Sequence, residues 1–390
     1  MNIAKQSKWR TLIYLFPLCS TYLFGATFID LNTVKALYFG TIAVFSLIFF
    51  KGITNIYISD NTRCIRNIIL CFFATIFCSY ILWSQSFSLG FRSTAPILAL
   101  LYYFILLKSG IDSKAMIKVV HIYTIIWVAV WAFMLFTPNR LFGIEADNRG
   151  VQRFFIPGDG FVYLSYFLLF EKWLKTKSII TLLIVIGLFA VIIFQVTRQT
   201  IIFTLLVSLY FLFRNNKYIV LCIIAAFFVL QFFTIHFSDD SALGALINLS
   251  QNQVSDSQSG DTYIRILEYE YFCLDFNNNP LAILFGNGVP HDESAYGKEI
   301  LYAKDYLAFY MSDVGYAALY VQFGCLGLLL YFRYFWNLCK SKISNGAAMF
   351  LYYILAVNTM SFIFMQNIVM VAIAMYLVEL EEQEDNTTIQ

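Results

Sequence analysis

The chain has 390 residues, of which 60% are hydrophobic and only 13% charged, and its mean hydropathy is +0.70. Soluble domains carry about a quarter charged residues, so this composition excludes a soluble enzyme and predicts an all-α polytopic membrane protein. The net charge of +2 comes from scattered groups with no continuous polycationic face, which leaves a nucleic-acid partner without electrostatic support.

Lys5, Lys8 and Arg10 precede the first apolar run as in a signal peptide, yet no small-residue cleavage pattern follows Phe24. A retained first helix is expected. Apolar runs recur near 11–27, 35–50, 68–83, 93–107, 119–137, 158–174, 179–197, 199–213, 219–236, 312–332, 346–364 and 367–378, which predicts twelve transmembrane helices. Nine fall within 1–236, with an external loop at 138–157. A large periplasmic loop follows at 237–311, helices ten to twelve at 312–378, and an acidic, solvated cytoplasmic tail at 379–390. With the amino terminus inside, cytoplasmic segments hold 17 of the 26 basic residues, so the positive-inside rule places both termini in the cytoplasm. Most of the eight cysteines lie inside apolar runs, so no disulfide framework is implied.

Within the large loop, 238–261 is polar and irregular. From Thr262 to Phe276 the residues Ile264, Leu267, Tyr271 and Leu274 recur at helical spacing, which predicts a short amphipathic helix ended by Asn277-Asn278-Asn279-Pro280. The stretch from Gly286 to Gly297 reads as a glycine-punctuated loop.

The chemistry-bearing residues gather on the external side. The inside basic set is 12 Lys to 5 Arg, the outside set 6 Arg to 3 Lys. A guanidinium binds phosphate or carboxylate through a rigid fork, so external Arg fits recognition of an anion. Arg198 sits in Thr197-Arg198-Gln199-Thr200, between apolar runs totalling 35 residues where two full crossings want about 40. The turn is therefore expected at or below the outer interface. There the following helix's positive end and the Thr197 and Thr200 hydroxyls would join Arg198 in an anion site; a snorkelling Arg at a hairpin tip is the plainer alternative. Arg265 lies on the loop helix with Glu268 and Tyr269 on its face, either as a binding group or as half of a surface ion pair. Arg149 and Arg153 share a face if helical, or are solvated loop cations. Asp313 opens the tenth helix, with Tyr316, Ala317, Tyr320, Gly324 and Gly327 along one stripe, as a general base or as part of a helix cap. His291 is the single histidine of the large loop, and the three histidines show no metal-ligand spacing. Asp30, alone in the first external loop, is not the acid pair of metal-using lipid-linked sugar transferases.

The order of these elements resembles the O-antigen polymerase and O-antigen ligase superfamily. The matching elements are Thr197-Arg198-Gln199-Thr200, Arg265, Pro280-Leu281, Phe285-Gly286-Asn287-Gly288, Asp313 and Gly324-Cys325-Leu326-Gly327, spread over about residues 138–332. The resemblance implies a metal-independent glycosyltransferase without a cofactor, working in the inner membrane. Its partners would be undecaprenyl-diphosphate-linked oligosaccharides as donor and acceptor, the lipid bilayer and a chain-length regulator. It further implies Arg198 and Arg265 as a diphosphate clamp, Asp313 as base or acceptor-positioning group, and Arg149 and Arg153 as glycan-engaging residues; Thr197, Thr200, Tyr269, Tyr316 and His291 complete the expected substrate-binding set. Ligases usually carry a His where this chain has Ser312-Asp313, which favours the polymerase branch. A lipid-linked oligosaccharide flippase is the rival class.

Overall fold

Helices here are made by long apolar runs punctuated by polar caps. In the computed structural model the described residues are 3–52, 59–137, 141–146, 153–195, 197–214, 264–341 and 343–388. In chain order the main helices are α1 (Ile3–Ser20), α2 (Leu31–Gly52), α3 (Asp60–Trp83), α4 (Phe87–Ser109), α5 (Ser113–Phe136), α6 (Gly160–Thr176), α7 (Ile179–Phe194) and α8 (Arg198–Phe213). They continue with α9 (Ile264–Glu270), α10 (Pro280–Phe285), α11 (Ala295–Leu307), α12 (Gly315–Ser341), α13 (Gly346–Val357) and α14 (Ile368–Thr388). A small antiparallel hairpin, β1 (Ile144–Ala146) with β2 (Arg153–Phe155), lies between α5 and α6.

Among the described residues, α2, α3, α4, α5 and α12 are long and apolar enough to cross a membrane, and α7, α8 and α13 are shorter apolar helices. The chain is a helical membrane protein. Its outward faces carry Leu47, Ile81, Ile125 and Leu183, all more than half exposed, as a bundle bounded by lipid requires. The expected span 219–236 lies outside the described residues. The expected span 346–364 does not run through. α13 stops at Val357, and in the following Asn358-Thr359-Met360-Ser361 the Thr359 hydroxyl donates back to Ala356 O at 2.8 Å.

Contacts sort the helix ends into two sets. At one, Ser59 Oγ and the Tyr103 hydroxyl donate to Glu379 at 2.8 and 3.4 Å, Asn61 Nδ2 donates to Glu382 at 2.8 Å, and the Gly346 N–H donates to Glu171 at 2.6 Å. The expected solvated tail is thus corrected at its start: α14 continues to Thr388, and Glu379 is almost fully buried as an acceptor for the Ser59 and Tyr103 hydroxyls. At the opposite end, Thr27 N–H donates to Leu141 O at 3.0 Å, and the Tyr163 hydroxyl donates to Gln195 at 2.7 Å. The starts of α6 and α12 meet the breaks around Asn367 and Asn358 there. A Cβ on Gly160 would lie 2.0 Å from Asn367 Oδ1, and one on Gly315 2.7 Å from Asn358 Oδ1.

The segment 277–291 descends into the bundle. α12 is kinked at Gly324 (φ 64°), and the Val321 and Gln322 carbonyls accept from the N–H groups of Asn287 (2.8 Å) and Gly288 (3.0 Å). Gly286 (φ 82°) and Gly288 (φ 79°) are required, since a Cβ would meet Gln322 O at 2.3 Å and Thr75 O at 2.6 Å respectively. Thr75 lies two turns inside α3, about 12 Å from its end at 1.5 Å per residue. Gly324 faces Leu284 and Gly286, so at this point α12 admits the short α10 and the loop after it.

Burial, with the Glu379 carboxylate beside it, holds Glu382 above the ordinary carboxylate range. A raised acid binds its proton more tightly in the folded state, so its contribution favours the fold at low pH and is lost as pH rises through the raised value. Glu382→Gln keeps an acceptor for Asn61. It should raise the melting temperature in a detergent thermal-shift assay by on the order of 1–2 °C near neutral pH, and not at all below the ordinary carboxylate range.

Candidate functional site

The loop helix α9 presents an ion cluster to the start of α12. Arg265 Nη1 donates to Glu268 Oε2 at 2.9 Å, one helical turn on, and also pairs with Asp313 Oδ2. Glu268 is only 1% exposed, and its second oxygen accepts the Tyr310 N–H at 2.9 Å. Both carboxylate oxygens are thereby paired, as burial demands. Arg265 and Asp313 keep side-chain exposures of 23% and 36%. Among the described residues, Arg265 is paired through Nη1 alone, although its guanidinium carries five N–H donors.

A second layer of contacts fixes this cluster. The Tyr269 hydroxyl donates to Thr359 O at 2.7 Å, the Tyr316 hydroxyl to Leu355 O at 2.6 Å, and Phe362 N–H to Ser312 O at 2.8 Å. Burial raises the Tyr269 phenol above its ordinary value, which favours the protonated donor. Asp313 does not open a helix. It ends a 3-10 turn, Met311–Asp313, and α12 begins at Gly315. Its Oδ1 accepts the Ser312 hydroxyl at 3.3 Å while Oδ2 goes to Arg265, so the carboxylate joins the loop helix instead of capping α12.

The structure thus unites Arg265, Asp313, Tyr269 and Tyr316, and adds Glu268, Tyr310 and Thr359. Glu268 as a buried anchor was missed: the three-residue spacing to Arg265 was visible, its burial was not. The amphipathic reading of α9 is reversed as well. Glu268 and Phe272 are the buried residues, whereas Ile264, Leu267 and Leu274 are exposed. Where the surroundings include lipid, an apolar face need not be the inward face. From Ile264 the expected helix runs to Glu270 and then passes into a π-turn at Tyr271–Asp275.

Other expected members lie elsewhere. Arg198 is the first residue of α8, at the same end of the bundle because Gln195 bonds to Tyr163 near the start of α6; its side chain is outside the described part. The Thr197 and Thr200 hydroxyls donate to the carbonyls of Gln195 (3.4 Å) and Thr197 (2.8 Å), so as arranged they are not open donors. Arg149 lies outside the described residues. Arg153 is on strand β2, opposite Ala146, so the shared helical face does not form; its side chain is likewise outside the described part. His291 is held apart: its N–H donates to Gln85 Oε1 at 3.1 Å, and its Nδ1 accepts the Glu293 N–H at 3.3 Å. Asp30 accepts from the N–H groups of Asn32 and Thr33 at 3.1 and 3.2 Å, capping the start of α2, and these bonds with the Thr33 hydroxyl lower its pKa.

No protein-family model matches the chain, and no curated protein does.

The geometry makes Glu268 a test of the anchor. Glu268→Ala would leave the Tyr310 N–H unpaired and half-release Arg265, at a cost of about 3 kcal/mol. Glu268→Gln, which keeps an acceptor for Tyr310, should cost about half as much. Hydrogen exchange of the peptide spanning 308–314 should accelerate strongly in the first variant and modestly in the second; equal rates in both would contradict the pairing.

Proposed function

We propose that the protein is a polysaccharide polymerase of the inner membrane. It transfers a growing glycan from undecaprenyl diphosphate to a hydroxyl of the next lipid-linked repeat unit. Twelve spans, cytoplasmic termini and an outward-facing Arg265 end complete the reading. The observation that carries it is Arg265, held against Asp313 at one end of a membrane bundle and, among the described residues, paired through Nη1 alone.

The acceptor hydroxyl attacks the anomeric carbon, a C–O bond forms, and the bond from that carbon to the diphosphate oxygen breaks with its electron pair. The hydroxyl proton passes to Asp313, which needs only hydrogen-bond reach. Arg265 faces the charge developing on the diphosphate, and a preorganised guanidinium stabilises it without reorganising. One cation between two carboxylates is not enough for a diphosphate, so the reading calls on Arg198 from the start of α8, whose helix dipole has the right sign. Arg149 and Arg153 engage the glycan. The Ser312-Asp313 pair supports the polymerase branch over the ligase branch.

Asp313→Asn should reduce chain extension by about 100-fold, and Arg198→Lys, which keeps charge but loses the fork, by at least about tenfold. The surface glycan ladder of cells carrying each variant, at equal protein levels, is the measurement. Single exported units without extension support the reading. Normal long chains contradict it, and lipid-linked units retained on the cytoplasmic face would mark a flippase instead.

A further inference from the structure

α11 buries one face and leaves a chemically different one open. Its start is capped by Ser294, whose Oγ accepts the Gly297 N–H at 3.0 Å. Tyr296 is fully buried, stacked on Trp83 (centroids 5.1 Å apart, 16° between planes), and its hydroxyl donates to Gly288 O at 3.1 Å. Ala303 is buried on the same side. The helix is thus fixed to the descending loop.

On its open face Tyr302 and Tyr306, one turn apart, stack on each other with centroids 4.8 Å apart and 29° between planes. They are 49% and 77% exposed, which leaves phenol surface facing outward. Lys298 and Asp305 share this stripe, and Glu299 and Lys304 border it, all exposed. Aliphatic residues are exposed only at the two ends, Ala295 and Leu307. Three residues beyond Leu307 comes Tyr310, also partly exposed, whose N–H is bonded to Glu268. The open face therefore leads to the Arg265–Asp313 cluster.

The geometry points to α11 as a saccharide-binding platform on which Tyr302 and Tyr306 stack a sugar of the glycan chain beside the candidate site. A pyranose presents a C–H face that packs on the electron-rich face of an aromatic ring, and a rim of hydroxyls that pairs with charged groups. An aromatic pair bordered by Lys298, Asp305, Glu299 and Lys304 matches both parts, as aromatic platforms in charged grooves hold successive bases of a single strand. Tyrosine is also at home at a membrane–water interface, and quenching by a brominated lipid distinguishes that placement from a saccharide platform. The inference rests on the polymerase reading for the identity of the glycan.

The test is binding of oligosaccharide fragments, cut from the producing cell's own surface polysaccharide, to the full-length protein in nanodiscs. An Asp313→Asn background prevents turnover. Tyr302→Ala with Tyr306→Ala should weaken binding about tenfold, and Tyr302→Phe with Tyr306→Phe, which keeps the rings, by no more than about threefold. In Tyr306→Trp the fragments should shift the indole emission, and brominated phosphatidylcholine should not quench it. Undiminished binding in the double alanine variant, absence of binding to the parent protein, or quenching by the brominated lipid would each overturn the platform. A normal glycan ladder in Asp313→Asn cells would instead overturn the polymerase reading, so the two failures are separable.

Discussion

A carboxylate cannot remain charged out of water unless each oxygen is met, and Glu268 is where this chain meets that constraint. One oxygen takes Arg265 from its own helix, the other takes the Tyr310 N–H from the approach to α12. Two segments separated by more than forty residues are thereby brought together. Asp313, three residues past Tyr310, then shares the same guanidinium. Once Glu268 is placed, the neighbourhood of Arg265 and Asp313 follows.

The position of this cluster depends on glycine chemistry below it. The Gly324 kink frees carbonyls inside α12, and the Gly286-Asn287-Gly288 backbone supplies the N–H groups that satisfy them. Trp83 Nε1 donates to Asn287 Oδ1 at 2.8 Å, so the end of α3 joins the same network. Irregular backbone at this depth is tolerated because it is enclosed by protein. The loop that carries Arg265 is thus anchored in the bundle, at Asn287 and Gly288, and at its rim, at Thr359.

How much of this was legible in the sequence depends on the kind of signal. Hydropathy placed the middles of helices well, since long apolar runs such as 68–83 and 119–137 have few alternatives in a bilayer. It failed at Asn358, where Asn358, Thr359 and Ser361 broke an apolar run, and at Glu379, where a run of acids looked solvated although the Ser59 and Tyr103 hydroxyls find their acceptor there. Arg265 and Asp313 were legible one at a time as charges out of place, but their contact spans 48 positions and leaves no local mark. Glu268 was hidden because a carboxylate three residues from an Arg reads the same on a surface as in a core. Thr197 and Thr200 were read as donors from composition, and their carbonyl partners depend on a turn geometry that composition does not carry. His291 drew notice as the loop's single histidine, and its ring serves the local turn.

Arg265 and Asp313 pair with each other, and in the proposed reaction they have unequal chemical duties. Exchanging them, Arg265→Asp together with Asp313→Arg, separates pairing from chemistry. The measurement is chain extension by the purified exchange variant on lipid-diphosphate-linked repeat units, alongside its melting temperature. Because the buried Glu268 loses the guanidinium of its own helix, the account predicts a melting temperature below that of the parent yet above that of either single variant, with no extension. An exchanged protein that extended chains at the parent's rate would contradict it, because the pair would then be a structural tie alone.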